Sequence, residues 1–179
     1  KEYSELYDLF YFIEINQVFN NNNLENIPQW NCQLSLPLPD KYKEKNGISL
    51  YNCIEDYSKI TNINNNKHIQ SRFWNFPNIL VIVLQRFSST FNKNNILVTF
   101  PLENLDISKY VIGYNSNKYV YDLIGVCNHS GNIMGGHYTC YSKNKNKQWV
   151  HYNDTNASLV KNLDSIISNN AYCLFYKKK

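Results

Sequence analysis

No apolar run in this sequence is long enough to cross a membrane. The longest, ILVIVL at residues 79–84, covers six positions, whereas a helical span needs about 20. Charge is also scarce. Acidic and basic residues make up 18% of the chain, against about 25% in ordinary soluble domains. The net charge of +4 is spread out, and its only dense clusters are KNKNK at 143–147 and the terminal KKK. A nucleic-acid binder carries a larger, clustered excess. These two clusters therefore read as a solvated turn and a tail, and neither a nucleic-acid partner nor a membrane is expected. No signal-peptide pattern is visible. The chain begins at Lys1 rather than Met, so an upstream segment is expected.

Paired cysteines are missing too. The five cysteines, Cys32, Cys53, Cys127, Cys140 and Cys173, are odd in number and contain no C-x-x-C pair. A structural zinc site needs clustered ligands, so no metal and no cofactor is expected. Each thiol reads as a small buried hydrophobe. Three N-x-S/T triplets start at Asn128, Asn153 and Asn156. Free thiols without a signal point to a reducing interior, cytoplasm or nucleus, where such triplets carry no glycan.

What remains is a chain of 179 residues, enough for one domain with a real core. It is 43% hydrophobic and 15% aromatic, with thirty asparagines where charge would ordinarily stand. The stretch ELYDLFYFIEI (5–15) reads as irregular and runs into a loop at NNNN (20–23). CQLSLPLPD (32–40) alternates Cys32, Leu34, Leu36 and Leu38, a strand ending at Pro39. GISLYNCIEDYSKI (47–60) has helical spacing with Ser49 as N-cap, and TNINNNKH (61–68) is a polar break. After Pro77 the texture changes. NILVIVLQRF (78–87) reads as a strand buried on both faces. The β-rich, Tyr-rich segments at 119–129, 136–143, 148–154 and 171–177 complete one antiparallel sheet.

The segment GGHYTCY (135–141) raises the question of chemistry. KNKNK is a hairpin-loop candidate. Centred on Lys145, it sets Tyr141 opposite Trp149, Thr139 opposite His151 and His137 opposite Asn153. Directly opposed Cβ atoms lie about 4.5–5.5 Å apart, close enough for an amide to orient the imidazole and fix its tautomer. A one-residue slip would bring Asp154 across instead, so Asn153 and Asp154 are both candidate orienters. Gly135 and Gly136 leave the approach to His137 uncluttered. The same pair would also serve as a plain surface hydrogen bond.

Together, HSGNIMGGHYTCYSKNKNKQWVHYNDTNASLV and AYCLFYKK resemble the His box of the ubiquitin-specific proteases, papain-like cysteine peptidases that cut after ubiquitin's C-terminal glycine. His129 and Gly131, Gly135 to Tyr138, Trp149, Tyr152, Asn153 and Asp154, and Ala171, Tyr172, Leu174, Phe175 and Tyr176 carry the likeness. FWNFPNILVIVLQRF (73–87) is similar to the family's Leu-Lys-Arg-Phe strand, with Gln85 in place of Lys. LSLPLPD and SLYNCIEDY resemble the stretch before the family's fingers. The likeness covers residues 9–176.

The resemblance implies an α+β fold: an antiparallel palm at 77–179 bearing the His box, preceded at 1–76 by shortened fingers and a connecting helix. The family's thumb helices are largely missing. His137 would be the general base, Asn153 its orienter and Asp154 an assistant. His129, Gly135, Gly136 and Tyr138 would border the channel for the ubiquitin tail. The partner would be ubiquitin or a ubiquitinated protein. The family's nucleophile and oxyanion donors sit in a G-N-T-C-Y-x-N-S run, and no such run occurs here, so the nucleophile is expected outside this chain. The segment between Tyr57 and Phe73 is short and free of cysteine, which implies fingers without zinc and a smaller grip on ubiquitin. An inactive ubiquitin-binding scaffold, or a peptidase for a ubiquitin-like modifier, would share most of these features.

Overall fold

The computed structural model describes residues 4–20, 23–39, 42, 47–64, 66–88, 91–114 and 118–179. Two sheets dominate the fold. The larger holds β3 (Leu34–Pro37), β7 (Ile79–Gln85), β9 (Leu105–Asp106), β10 (Val120–Asn132), β11 (Gly135–Lys143), β12 (Trp149–Asn153), β13 (Asn156–Leu159) and β14 (Ala171–Lys178). Its order is β13-β12-β11-β10-β14-β7-β3, with β9 also paired to β10. All these pairings are antiparallel except β3 with β7. This is the sheet expected from the C-terminal half. The parallel edge strand from the N-terminal stretch was not foreseen.

Residues of period two drive this assembly. Leu34 and Leu36 on β3, Leu80, Ile82 and Leu84 on β7, and Leu174 and Tyr176 on β14 are fully or almost fully buried. The register sets Leu34 and Leu174 beside Ile82, and Tyr176 beside Leu80, so they form one apolar face. The alternate residues Ile79, Val81 and Val83 are only half-buried. The expectation that β7 is buried on both faces is thus corrected: one face meets the core and the other is partly open.

Helix α2 (Leu50–Tyr57) covers the core face. The Asn52 N–H donates to Ser49 Oγ at 3.1 Å, and the Ser49 N–H donates to Asn52 Oδ1 at 3.1 Å, a reciprocal cap. Such a cap contributes about 1 kcal/mol. The buried face of Leu50, Cys53 and Ile54 contributes about 1.5–3 kcal/mol for each large aliphatic side chain. Packing therefore fixes where the helix sits, and the cap fixes where it starts.

The smaller sheet, β2-β1-β6-β5, comes from β1 (Phe12–Asn20), β2 (Asn23–Asn31), β5 (Thr61–Asn64) and β6 (Lys67–Phe73). The stretch read as irregular is in fact helix α1 (Glu5–Phe10) followed by β1. The expected NNNN loop falls partly on Asn21 and Asn22, outside the described residues. Its flanks, Asn20 and Asn23, pair as the ends of a hairpin. The expected polar break at 61–68 likewise lies largely in β5 and β6. Almost all of β2 is exposed, which is why no alternating pattern marks it. Pro28 is tolerated there because β2 is an edge strand. Glu14 on β1 is buried and accepts from Asn31 Nδ2 at 2.9 Å and the Tyr57 hydroxyl at 2.8 Å, linking this sheet to α2.

The candidate active-site hairpin

Two consecutive turns position the His box. The β11–β12 turn is organised by Asn144, whose Oδ1 accepts from the Asn146 and Gln148 N–H groups, while Lys147 takes a left-handed conformation (φ 62°). The turn is therefore centred on Asn146, one residue later than expected. Lys143 faces Trp149, Tyr141 faces His151 and Cys140 faces Tyr152. The expected pairing of Tyr141 with Trp149, and those extrapolated from it, are corrected by this shift. Each pair slips by two positions in total, so side chains keep their face. His137 and Asn153 remain on one face as diagonal neighbours, within reach for long side chains.

They meet there. His137 Nε2 lies 2.6 Å from Asn153 Oδ1. An amide oxygen only accepts, so Nε2 carries the proton. Asp154 occupies the first position after β12 with φ 50°, in a two-residue turn that returns the chain to β13 at Asn156. Its Oδ2 stands 4.0 Å from the same Nε2 and is largely exposed. Of the two candidate orienters, Asn153 makes the close contact and Asp154 lies behind it.

The stretch from His129 to Gly136 is mostly strand. β10 and β11 stay paired to Asn132 and Gly135, and only Ile133 and Met134 form the turn. His129, expected to border a channel, is 4% exposed. Its ring is enclosed by Phe87, Tyr138 and Tyr172, with centroids 5.7, 4.8 and 5.8 Å away. Burial, helped by Lys93, holds its pKa below the ordinary imidazole value, so it sits neutral. It is a buttress beneath the hairpin surface, while Tyr138 is 56% exposed above it.

The two glycines before His137 differ sharply. A Cβ on Gly135 would meet nothing within 4 Å, whereas one on Gly136 would lie 2.2 Å from His129 Nε2 and 2.5 Å from the Ser130 carbonyl oxygen. Gly136 is thus needed for the hairpin to close over His129. Gly135 is the one that leaves open space.

A strap that the sequence reading missed supports the site from behind. Arg86, 1% exposed, donates from Nε to the Ala171 carbonyl at 2.7 Å, and from Nη1 to the Asn94 and Ile96 carbonyls at 2.9 Å each. Burial lowers its pKa to about 10. Lys93, on the same strap, donates to the His129 carbonyl. The contacts to Ala171 and His129 join residues 85 and 36 positions apart, so no local pattern could mark them.

None of the five thiols accompanies His137. Cys127 and Cys140 are an opposed pair on the other face of the sheet, and Cys173 is opposite Cys127. Cys53 is buried on α2, and burial pushes its thiol up to about 12. Cys32 is exposed just before β3, four strands from β11 in the sheet, roughly 19 Å at about 4.8 Å per strand. The expectation that all five are buried is corrected for Cys32, which is exposed, and for Cys127, Cys140 and Cys173, which are half-buried. Among the described residues, no group of three or more His, Cys, Asp or Glu is set to hold a metal ion, and no helix is long and apolar enough to cross a membrane.

An imidazole held by an amide at the end of paired antiparallel strands, in an α+β fold, places the molecule in the papain-like class. Solved structures agree on the fold. A chain of the SAGA DUB module Ubp8/Sgf11/Sus1/Sgf73 bound to monoubiquitin superposes with a TM-score of 0.83 at 23% identity, covering 97% of this chain and 42% of that one. A chain of the Ubp8-Sgf11-Sgf73-Sus1 SAGA DUB module gives 0.83 at 24%, covering 97% and 40%. The ubiquitin carboxyl-terminal hydrolase family model matches residues 2–176, and this chain belongs to that family. Ubiquitin carboxyl-terminal hydrolase 4 of Pongo abelii is 37% identical over 163 residues, 82% of this chain and 17% of that protein. Ubiquitin carboxyl-terminal hydrolase 9 of Arabidopsis thaliana is 36% identical over 155 residues, 77% and 17%. Ubiquitin carboxyl-terminal hydrolase 15 of Bos taurus is 40% identical over 110 residues, 59% and 11%. The chain thus spans about a sixth of the length of the first of these relatives.

Proposed function

We propose that this chain carries the proton-transfer half of a deubiquitinating thiol protease, whose nucleophilic cysteine and oxyanion donors lie elsewhere in the protein. The observation that carries the reading is the 2.6 Å contact between His137 Nε2 and Asn153 Oδ1, in a chain of this family. With Nε2–H donated to the amide, Nδ1 is the nitrogen with a free lone pair. It accepts the proton of the cysteine thiol, and the thiolate attacks the carbonyl carbon of ubiquitin's terminal glycine. The imidazolium then returns the proton to the departing amine, and water hydrolyses the thioester with His137 again as base. Asn153 holds the ring in the productive tautomer throughout. Asp154, 4.0 Å away and exposed, assists by polar support of the ring.

Gly135 and the exposed face of Tyr138 line the approach for the slender glycine-ended tail. Gly136 and His129 act one layer below, by fixing the height of the hairpin. Ubiquitin, or a protein conjugated to it, is the proposed partner. The solved relative bound to monoubiquitin supports this by analogy.

The test uses the full-length protein and ubiquitin bearing a C-terminal electrophile. Wild type is expected to form a covalent adduct and to release a fluorogenic C-terminal amide. His137→Ala should lose turnover while retaining the unfolding transition of wild type. A full-length protein that binds ubiquitin but neither labels nor cleaves would refute the protease reading.

A further inference from the structure

Three thiols stand in one row across the outer face of the large sheet. Cys127 on β10 is directly opposite both Cys140 on β11 and Cys173 on β14. Directly opposed residues share a face, and the row continues into Val83 on one side and Tyr152 on the other. All three cysteines are half-buried.

The two pairs are not equivalent. A residue on an inner strand turns its N–H and C=O toward one neighbour. It makes a wide, hydrogen-bonded pair on that side and a close pair on the other. Nearby backbone bonds settle which is which. The Asn144 N–H donates to the Gln148 carbonyl, so Cys140, four residues back on the same strand, turns its backbone groups to β12. The Lys178 N–H donates to the Asn78 carbonyl, so even-numbered residues of β14 turn to β7 and Cys173 turns to β10. Cys127 therefore makes the wide pair with Cys173 and the close pair with Cys140. Cα separations for such pairs are about 5.5 Å and about 4.5 Å. Both lie within the Cα range of a disulfide, but its Cβ atoms must come to about 3.8 Å. Opposed Cβ atoms start about 4.5–5.5 Å apart and nearer the lower end in close pairs, so the close pair needs the smaller movement.

We propose that Cys127 and Cys140 form a modification site at which a hydroperoxide produces a cross-strand disulfide. One thiolate attacks the O–O bond of the peroxide and becomes a sulfenic acid, and the leaving hydroxide takes up the proton that thiol released. The second thiol displaces the sulfenic hydroxyl as water and closes the S–S bond. Two thiols and one hydrogen peroxide give one disulfide and two waters. Burial holds both thiols above their ordinary range, which slows the first step. It pushes Cys173 further, to about 12, so Cys173 is the poorer competitor. The bond would close a ring over residues 127–140, which contains His129, Gly136 and His137. Its formation stands independently of the function proposed above; only its effect on turnover rests on the role given to His137.

The test treats the full-length protein with hydrogen peroxide at mildly alkaline pH, alkylates the remaining thiols and maps peptides without reduction. The peptides bearing Cys127 and Cys140 are expected joined and lighter by two hydrogens. Cys173→Ser should leave that linkage in place, and Cys140→Ser should abolish it. Cys127 found bonded to Cys173 would overturn the assignment. So would Cys127 and Cys140 both found alkylated in a sample whose exposed Cys32 is oxidised. Since the readout is a mass and not an activity, a failure here leaves the protease reading untouched, and the reverse also holds.

Discussion

Replacing Gly136 by alanine should damage the site far more than the same change one residue earlier. The added methyl would lie 2.2 Å from His129 Nε2, while ordinary contact begins near 3.4 Å, so something must move by about 1.2 Å. The ring cannot easily yield, because Phe87, Tyr138 and Tyr172 surround it. The second obstacle, the Ser130 carbonyl at 2.5 Å, is backbone of the partner strand. The strand carrying His137 must therefore lift away from β10. Overpacking of this kind costs about 1–3 kcal/mol of stability. A 1 Å misplacement of a reacting group can cost roughly 100-fold in rate. Gly135→Ala meets nothing within 4 Å and should leave stability within about 0.5 kcal/mol of wild type, as surface substitutions ordinarily do. The assay is steady-state hydrolysis of a ubiquitin C-terminal fluorogenic amide by full-length protein, with urea unfolding in parallel. Equal urea midpoints for the two alanine variants would refute the reasoning. So would a Gly136→Ala protein that is destabilised yet fully active.

Asn153→Ala should lower kcat by about 100-fold, within the range that general-base catalysis contributes, with the unfolding midpoint little changed. Asp154→Asn, exposed and 4.0 Å from the ring, should cost less than about fivefold, as weak surface pairs do; a larger loss for Asp154→Asn than for Asn153→Ala would reverse the roles assigned to them. Alkaline stability gives a prediction independent of activity. The Cys53 thiol rises from the ordinary 9.0 to about 12 on folding, so above pH 9 the unfolded chain releases a proton that the folded chain keeps. Stability should then be level below that point and fall as pH climbs from 9 toward 12. Urea midpoints of wild type and Cys53→Ala, compared at about pH 8 and about pH 10.5, should show the shallower loss for the variant; parallel slopes would remove Cys53 from the account.

The legible parts of this molecule are those where chemistry repeats along the chain. Leu34 and Leu36 alternate because one face of their strand meets the core, and that alternation marked it. β7 was marked by its run of β-branched residues, which hides that only Leu80, Ile82 and Leu84 face the core. Ser49 and the apolar positions of α2 marked a helix and its first turn. The His box was readable because His137 and Asn153 belong to strands joined by one short turn, where parity alone keeps them on a common face. The centre of that turn was misplaced by a residue because the Asn144 side chain, rather than KNKNK as a whole, organises it. Strands β1 and β2 escaped because β2 buries almost nothing and its asparagines look like loop. Arg86 and Lys93 escaped for a different reason: they donate to carbonyls, which every residue has. His129 was read as a channel residue from the resemblance; nothing in its sequence neighbours, Asn128 and Ser130, signals the three aromatic rings around it in space.

The clasp formed by Arg86 has a mechanical corollary. One guanidinium ties the first residue of β14 to residues 94 and 96, and Lys93 grips the chain beside Ser130, so the strand that pairs with the hairpin is anchored by contacts separate from the turns that hold the imidazole. The base is hinged on its own hairpin but indexed by a cation several strands' breadth behind it. A change at position 86 would therefore strip three carbonyls of their donor, costing stability and loosening the support of the imidazole together.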